Sequence, residues 1–284
     1  MSADQKPVWL ITGASRGLGK AIAFKALAAG HQVGAAVRNL DDGKDLVDAY
    51  PETCRLFVAE LAQNGAASGL AADVLKHFGT VDYLINNAGY GVWGMAEELE
   101  MENYYHQMQV NFFALVELTK SLIPVMRARG SGMIINVSSL AGLRGMQGLS
   151  AYNASKFAVE GFTEAIAQEL TPFGVRVSVI EPGPYRTDWA GNSLVKTSGV
   201  QEPSADSPYY ELNQAAARRI SLSDGKQPGD PDQIASVLLH ATTAPELPLH
   251  MLMGDVCIEG WEQRKSRFED PTFISKFPHD KFTL

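Results

Sequence analysis

The chain has 284 residues, of which 45% are hydrophobic and 20% are charged, a composition typical of a soluble globular protein and not of a disordered chain. Its formal net charge of −8 disfavours nucleic-acid binding, which needs clustered Lys and Arg. The sequence contains no apolar run of about 18 residues and no signal-peptide pattern, so neither a membrane span nor export is expected.

The two cysteines, Cys54 and Cys257, form no CxxC pair and are far apart in the sequence. They indicate neither a disulfide framework nor a thiolate metal site, and no metal is predicted. Free thiols of this kind fit a reducing cytoplasm, which is the predicted location.

Apolar runs rich in β-branched residues alternate with amphipathic segments along the chain. The predicted strands are residues 8–12, 33–37, 55–59, 83–86, 133–137, 175–180 and 249–253. The predicted helices are residues 17–29, 66–78, 103–129, 152–173 and 231–243. This alternation predicts a Rossmann-type, doubly wound α/β/α sandwich in which helices cover both faces of a seven-stranded parallel sheet.

One dinucleotide-binding and catalytic domain over residues 1–284 is predicted, because no linker interrupts the pattern. The alternation fails over residues 183–229, where Pro203, Ser204, Pro208 and Pro228 break any regular period. We interpret this segment as a substrate-binding insertion with a helical piece over residues 209–220. A last helix over residues 255–268 begins a C-terminal extension, 255–284, which is expected to run over the surface.

A glycine-rich loop with Gly13, Gly17 and Gly19 follows the first predicted strand. Glycines let the backbone turn tightly and approach a pyrophosphate at a helix N-terminus, which favours a dinucleotide site. A structural turn or a mononucleotide site would also use glycines, and the spacing is not GxGxxG.

Two arginines favour NADP as the cofactor. Arg16 lies inside the glycine loop and Arg38 follows the second strand, where an NAD enzyme usually has an acidic residue for the ribose hydroxyls. Guanidinium groups match phosphate oxygens, so the pair fits a 2′-phosphate. The simpler alternative is that both arginines are solvated surface residues. Because Asp41 and Asp42 follow Arg38 closely in the sequence, NAD is the alternative cofactor.

The predicted catalytic pair is Tyr152 and Lys156, which are four residues apart and so share one helix face. A free tyrosine titrates at about 10, and a nearby ammonium and an oxidised nicotinamide ring would both favour the phenolate, so a lowered phenol pKa is predicted. Ser139 ends the fifth strand and is placed to hold a substrate oxygen. Asn111 completes the set.

Six motifs occur in order: Thr12-Gly-x-x-x-Gly-x-Gly19, Asn86-Asn-Ala-Gly89, Asn111, Ser138-Ser139, Tyr152-x-x-x-Lys156 and Pro182-Gly183. With this order and spacing, the chain resembles the short-chain dehydrogenase/reductase family over about residues 6–260. The pattern is similar to the branch with 17β-hydroxysteroid-dehydrogenase-like and retinol-dehydrogenase-like enzymes, which does not establish a steroid substrate.

The resemblance implies a role for each motif. Tyr152 would be the general acid or base, Ser139 would orient the carbonyl, and Lys156 would lower the tyrosine pKa and bind ribose. Asn111 would hold a relay water, and Ser138 would point inward. The implied cofactor-binding residues are Gly13, Ser15, Arg16, Gly17, Leu18, Gly19, Arg38, Asn39, Glu60, Leu61, Asn87, Ala88, Gly89, Tyr152, Lys156, Pro182, Gly183, Tyr185 and Thr187.

The sequence departs from the family pattern at two places. Ala59-Glu60-Leu61 has a Glu where an Asp normally contacts adenine. Residues 261–284 extend beyond the usual end and could cover a face that some members use to form tetramers, so a homodimer is predicted.

The predicted function is an NADP(H)-dependent carbonyl reductase that moves hydride between nicotinamide and a carbonyl or alcohol carbon. The residues expected to line an apolar or aromatic substrate pocket are Tyr90, Trp93, Leu143, Met146, Tyr185, Trp189 and Tyr209. Simple core packing explains these side chains equally well. A non-catalytic NADP sensor, an NAD-dependent alcohol dehydrogenase and a sugar-nucleotide epimerase or dehydratase are the rival functions.

Overall fold

The structure is a computed structural model that describes residues 6–187, 189, 191, 193–223 and 225–269. Its strands are β1 (Val8–Thr12), β2 (Gln32–Val37), β3 (Cys54–Val58), β4 (Tyr83–Asn86), β5 (Gly91–Trp93), β6 (Gly132–Val137), β7 (Val175–Pro182), β8 (Leu194–Lys196) and β9 (His250–Met253). Seven of them form one parallel sheet in the order β3-β2-β1-β4-β6-β7-β9. The predicted doubly wound, seven-stranded fold is confirmed.

Helices connect the strands and cover both faces of the sheet. They are α1 (Gly17–Ala28), α2 (Lys44–Ala49), α3 (Ala66–Phe78), α4 (Met101–Met108), α5 (Ala114–Arg129), α6 (Leu140–Leu143), α7 (Ser150–Leu170), α8 (Ser198–Gln201), α9 (Tyr210–Ser223), α10 (Pro231–Thr243) and α11 (Asp255–Glu269). No helix among the described residues has both the length and the apolar character needed to cross a membrane.

The side chains of β1 show how the sheet forms two cores. Trp9 and Ile11 point into a cluster shared with α1 and α10, whereas Leu10 points into a cluster shared with α3, α5 and α7. Successive side chains of a strand point to opposite faces, so a strand buried on both sides must be apolar throughout. All five residues of β1 are buried.

The predicted continuous helix over residues 103–129 is wrong in detail. Between α4 and α5, a π-helical turn runs over Gln109–Phe113. The side chain of Asn111, in the middle of this turn, forms two hydrogen bonds of 3.0 Å with the backbone N–H and C=O of Tyr90. These tertiary bonds stabilise the inserted residue, and the helical period of the sequence gives no sign of it.

The insertion over residues 183–229 contains more regular structure than the predicted helical piece. Its strand β8 pairs in parallel with β5 in a small second sheet, and α8 and α9 follow. Both strands are three residues long, too short for a period of two to be recognised in the sequence. The pairing places the insertion above the carboxyl edge of the main sheet.

The C-terminal segment agrees with the prediction as far as it is described. The helix α11 begins at Asp255 and ends at Glu269, and residues 270–284 of the predicted extension lie outside the described residues. The guanidinium of Arg264 on α11 donates hydrogen bonds to the carbonyl oxygens of Gly142 and Leu143. This helix therefore supports the loop that follows β6.

Candidate active site

A cavity of about 560 Å³ opens at the carboxyl edge of the main sheet. It lies where the strand order reverses between β1 and β4, the position at which open α/β sheets bind ligands. The predicted residues that line it are Gly13, Ser15, Arg16, Gly17, Leu18, Arg38, Glu60, Leu61, Asn87, Ala88, Gly89, Tyr90, Trp93, Ser139, Met146, Tyr152, Lys156, Pro182, Gly183, Tyr185, Thr187 and Trp189.

The glycine loop forms one end of the cavity. Gly13 and Gly17 have φ angles of +66° and +54°, which non-glycine residues rarely adopt. Gly19 does not line the cavity, because it packs so closely against the carbonyl group of Gly13 that a Cβ atom would collide with it. The hydroxyl of Thr12 accepts hydrogen bonds from the N–H groups of Asn87 and Ala88 at 3.0 and 2.9 Å. The loop is therefore fastened to the end of β4.

Arg16 and Arg38 both line this end of the cavity. Neither guanidinium forms an ion pair with any described carboxylate. Glu60 also lines the cavity, but its carboxylate accepts a hydrogen bond from the N–H of Ala62 at 3.2 Å. Two guanidinium groups without an ion pair to a described carboxylate on one wall offer the charge and the donors that match phosphate oxygens.

Tyr152 and Ser139 meet in the middle of the cavity wall. Tyr152 lies in the first turn of α7, and Ser139 lies between β6 and α6, where its Oγ accepts a hydrogen bond from the N–H of Ala141 at 3.2 Å. The Ser139 hydroxyl is also near enough to the phenol oxygen to lower the pKa of Tyr152. The two hydroxyls are therefore close enough to hold one carbonyl oxygen between them.

Lys156 follows Tyr152 by one turn of α7 and is 4% exposed. Its Nζ donates a hydrogen bond to the carbonyl oxygen of Val137 at 2.7 Å and lies 5.7 Å from the centre of the Tyr152 ring. Burial lowers the pKa of Lys156 to about 8, and the charge of Glu160 opposes that shift. The amine is thus cationic at neutral pH and is aimed between the end of β6 and the tyrosine.

The predicted lowering of the Tyr152 pKa is wrong for the protein's own groups. Burial raises the pKa of the phenol to about 12, and the hydrogen bond with Ser139 only partly offsets this. The sequence shows the cation at helical spacing but not the burial of the ring, which disfavours the phenolate. At neutral pH the phenol is therefore protonated, which makes it a proton donor.

Asn111 lies behind the cavity wall and not in it. Its Nδ2 donates to Ser155 Oγ at 3.0 Å, in addition to its two bonds with Tyr90, and Ser155 Oγ donates to the carbonyl oxygen of Tyr152 at 2.8 Å. Both amide hydrogens are therefore used within the protein. The side chain holds the segment after β4 against the first turn of α7.

The apolar end of the cavity is built on aromatic rings. The ring of Trp189 lies 5.3 Å from that of Tyr152, and Trp93 packs in the same cluster with Met146 nearby. The Tyr90 hydroxyl forms a 2.6 Å hydrogen bond with Nδ1 of His106. The sequence analysis missed several lining residues, and four of them are His106, Leu149, Val195 and Gln227. Three of these lie on segments without a chemical motif, and His106 could have been found only from the fold.

Three predicted residues are placed elsewhere. Leu143 is 2% exposed and packs with Leu140 and Cys257 under α11. The side chain of Asn39 is bonded to Asp42 and does not line the cavity, and Tyr209 is bonded to Glu97 on the outside of the insertion. Asn39 and Tyr209 thus bond acidic side chains at the surface, and Leu143 belongs to the core.

Comparison with known proteins agrees with this arrangement. A family model described as short chain dehydrogenase matches residues 7–197. Oxidoreductase BOA17 of Botryotinia fuckeliana is 37% identical over 254 residues, which cover 89% of this chain and 90% of that protein. Retinol dehydrogenase 8 of Homo sapiens is 34% identical over 255 residues, which cover 86% of this chain and 81% of that protein.

Solved structures show the same fold. A short-chain dehydrogenase from Streptomyces avermitilis matches with a TM-score of 0.84 and 32% identity, over 95% of this chain and 98% of that chain. A metagenomic short-chain oxidoreductase in complex with NADP matches with a TM-score of 0.68 and 28% identity, over 88% and 97% of the two chains. A Burkholderia phymatum enzyme in complex with NAD, at 24% identity and a TM-score of 0.80 over the whole of both chains, shares the fold.

The family model covers more than half of the chain, and the two relatives exceed 30% identity over most of its length. The strand order, the glycine loop and the Ser139, Tyr152 and Lys156 cluster agree with that match. The chain therefore belongs to the short-chain dehydrogenase family of oxidoreductases.

Proposed function

We propose that the protein is an NADP(H)-dependent oxidoreductase that interconverts a carbonyl group and a secondary alcohol on an apolar or aromatic small molecule. The observation that supports this most strongly is the position of Ser139, Tyr152 and Lys156 in the wall of the cavity that the glycine loop closes at its other end. Dinucleotide and reacting carbon would then share one enclosed space.

The residues present fit the cofactor. The positive-φ glycines allow a pyrophosphate to approach the backbone at the start of α1. Arg16 and Arg38, which form no ion pair with a described carboxylate, suit a 2′-phosphate. When bound, NADPH supplies the hydride. Lys156 and the segment with Pro182, Gly183, Tyr185 and Thr187 would hold its nicotinamide half, as the family resemblance implies.

The protein's own part in the reaction is proton transfer and positioning. Ser139 donates a hydrogen bond to the substrate oxygen, and the protonated phenol of Tyr152 gives its proton to that oxygen during reduction. The cation of Lys156 then stabilises the resulting phenolate. The ring of Trp189 covers Tyr152 and excludes water from the reacting oxygen.

The apolar end of the cavity supports the proposed substrate class. Trp93, Met146, Leu149 and Trp189 present carbon surface near the tyrosine, and such pockets bind ligands mainly by burying apolar area. The human relative is named for retinol, an apolar alcohol. Bulky hydrophobic ketones are therefore the first compounds to test.

The proposal as a whole is tested by following NADPH oxidation with a panel of aliphatic and aromatic ketones and aldehydes. We expect saturable turnover with at least the aromatic members. Tight NADPH binding without turnover of any panel member would instead indicate a cofactor sensor.

Replacing Arg38 with Ala is expected to raise the KM for NADPH about tenfold to hundredfold, because charge-assisted hydrogen bonds to the phosphate are lost. The KM for NADH should change by no more than about twofold, since NADH has no 2′-phosphate. Steady-state kinetics with both cofactors check this. Arg55→Ala on the neighbouring strand β3, an exposed arginine, is the matched control. Equal effects on both cofactors would contradict the assignment.

Replacing Trp189 with Ala is expected to lower kcat/KM for aromatic ketones about tenfold, because the variant loses apolar contact area with the substrate. The loss for a small ketone such as acetone should be no more than about threefold. Comparing the losses in kcat/KM for the two ketones separates the substrate contact from any general effect on Tyr152, because such an effect would lower both values equally. The centres of the Trp189 and Tyr152 rings are 5.3 Å apart. Equal losses for the two ketones would place the substrate elsewhere. Trp261→Ala, on the surface of α11, is the control.

A reducing cytoplasmic location and a homodimer complete the proposal. Both cysteines are free and buried, which suits a reducing compartment. Light scattering of the purified protein tests the dimer.

A further inference from the structure

A second group of chemically active side chains lies behind the catalytic wall. Glu160 is on α7, one turn after Lys156, Glu181 is near the end of β7, and His250 begins β9. Their nearest oxygen and nitrogen atoms all lie within 4.8 Å of one another. The side chains of Glu160 and Glu181 are 8% and 0% exposed, and that of His250 is 38% exposed.

The two buried carboxylates have few hydrogen-bond partners. Neither oxygen of Glu160 forms a hydrogen bond with a described residue, and the same holds for Oε2 of Glu181. Burial raises the pKa of Glu160 to about 7, with a further contribution from the charge of Glu181 and opposing ones from the Ser138 hydroxyl and His250, and burial raises the pKa of Glu181 to about 8. Buried charged groups are normally paired or bound to a metal ion.

His250 lies beside both carboxylates. Its Nδ1 lies 2.8 Å from Oε1 of Glu181 and 3.6 Å from Oε2 of Glu160. The ammonium of Lys156 is turned toward the carbonyl oxygen of Val137. The two carboxylates therefore share one histidine, and the Lys156 ammonium is bonded elsewhere.

We propose that Glu160, Glu181 and His250 form a binding site for a divalent transition-metal ion of the Zn²⁺ or Mn²⁺ type. Such ions bind carboxylate oxygen and imidazole nitrogen at about 2.0–2.2 Å, so two ligands of one ion lie about 3–3.5 Å apart. The separations of 2.8 and 3.6 Å within the cluster bracket this range. The exposed edge of His250 gives the ion a path of entry.

A fourth residue completes the arrangement of a metal-binding histidine. Oε1 of Glu164 lies 3.6 Å from Nε2 of His250, on the side of the ring opposite the two buried carboxylates. A carboxylate on the outer nitrogen orients the imidazole and leaves the inner nitrogen free to bind a metal. Glu164 is thus a positioning residue for this site.

The ion would join three elements around the reaction centre. Glu160 belongs to the helix of Lys156, Glu181 precedes the Pro182-Gly183 segment of the cavity wall, and His250 belongs to the edge strand β9. The site is separate from the cavity, which none of these three residues lines. Its effect is therefore stabilisation of the folded protein, because a ligand of the native state raises the free energy of unfolding.

The test uses untagged full-length protein that has been treated with a chelator and dialysed. Zn²⁺ and, separately, Mn²⁺ are titrated by calorimetry, and bound metal is counted by mass spectrometry after a second dialysis. We expect about one ion per chain and a higher melting temperature with metal. Binding of neither ion would overturn the proposal.

His250→Arg is the decisive variant. Arginine keeps a positive charge opposite both carboxylates, so the variant is expected to fold, but it has no lone pair with which to bind a metal. We expect at least a tenfold weaker Kd and no metal-dependent rise in melting temperature. Glu164→Gln should weaken binding about tenfold.

Matched controls are available among exposed residues. Glu169→Gln lies on the same helix as Glu164, and His240→Ala removes a histidine from the surface of α10. Both should bind metal as the wild type does. Binding to His250→Arg with wild-type affinity, or a loss of binding in the two controls equal to that in His250→Arg, would contradict the proposed ligands.

Discussion

Tyr152→Phe is expected to lower kcat for carbonyl reduction by at least about a thousandfold. General acid catalysis contributes about 10²–10⁴-fold, and the phenol is the proton donor at the cavity wall. The phenyl ring can keep its packing against Trp189, so the Kd for NADPH should stay within about twofold of the wild-type value. Single-turnover kinetics and fluorescence titration of NADPH measure the two effects separately.

The matched control removes a tyrosine hydroxyl outside the cavity. Tyr209 bonds Glu97 on the outer side of the insertion, and Tyr209→Phe should leave kcat within about twofold. If Tyr152→Phe keeps most of the wild-type kcat, another group supplies the proton and the assignment fails.

Lys156→Ala is expected to impair both chemistry and cofactor binding. The variant loses the cation 5.7 Å from the Tyr152 ring, so we expect kcat to fall by about a hundredfold or more. The KM for NADPH should rise by about tenfold, because Lys156 is also the proposed ribose ligand. A fall in kcat with an unchanged KM would exclude the ribose contact.

The pH dependence of kcat/KM is a second test of the role of the Lys156 charge. Burial lowers its pKa to about 8, so the amine is charged below that pH and neutral above it. The part of wild-type kcat/KM that depends on the cation should therefore decline as the pH rises through about 8, and Lys156→Ala should lack this decline. Lys120→Ala, an exposed lysine on α5, is the control for charge removal and for folding, which thermal unfolding monitors.

Most of the fold could be predicted, because each strand or helix is formed by consecutive residues whose pattern can be recognised in the sequence. The inner strands of the main sheet are apolar runs that are largely buried on both faces, as β1 shows, whereas the edge strands β3 and β9 are partly exposed. Glycine and proline mark the ends of several of these runs. The π-helical turn at Asn111 could not be predicted, because bonds to the distant backbone of Tyr90 stabilise it. The pairing of β5 with β8 joins segments about a hundred residues apart.

The residues of the candidate site could be predicted where their spacing along the sequence determines their relative positions. Tyr152 and Lys156 are one helical turn apart, and the glycines mark a turn that needs positive φ angles. Properties that depend on burial were not accessible. The pKa of Tyr152 is raised and not lowered, because the ring is buried, and Leu143 is a core residue.

The Glu160, Glu181 and His250 cluster illustrates the same limit. Its members are 21 and 69 residues apart along the chain and belong to three elements, so no ligand spacing is visible in the sequence. Only the adjacency of β7 and β9, with Glu181 paired to Leu252 in the register, brings them together beneath α7.

The central claim is hydride transfer from NADPH to a substrate carbonyl carbon in the cavity that contains Tyr152. The most direct measurement uses NADPH with deuterium at the transferable C4 position and an aromatic ketone, followed by mass spectrometry of the alcohol. We predict one deuterium on the carbinol carbon with the wild type and no labelled alcohol with Tyr152→Phe on the same time scale. Unlabelled alcohol, or labelled alcohol formed equally fast by the variant, would contradict the account.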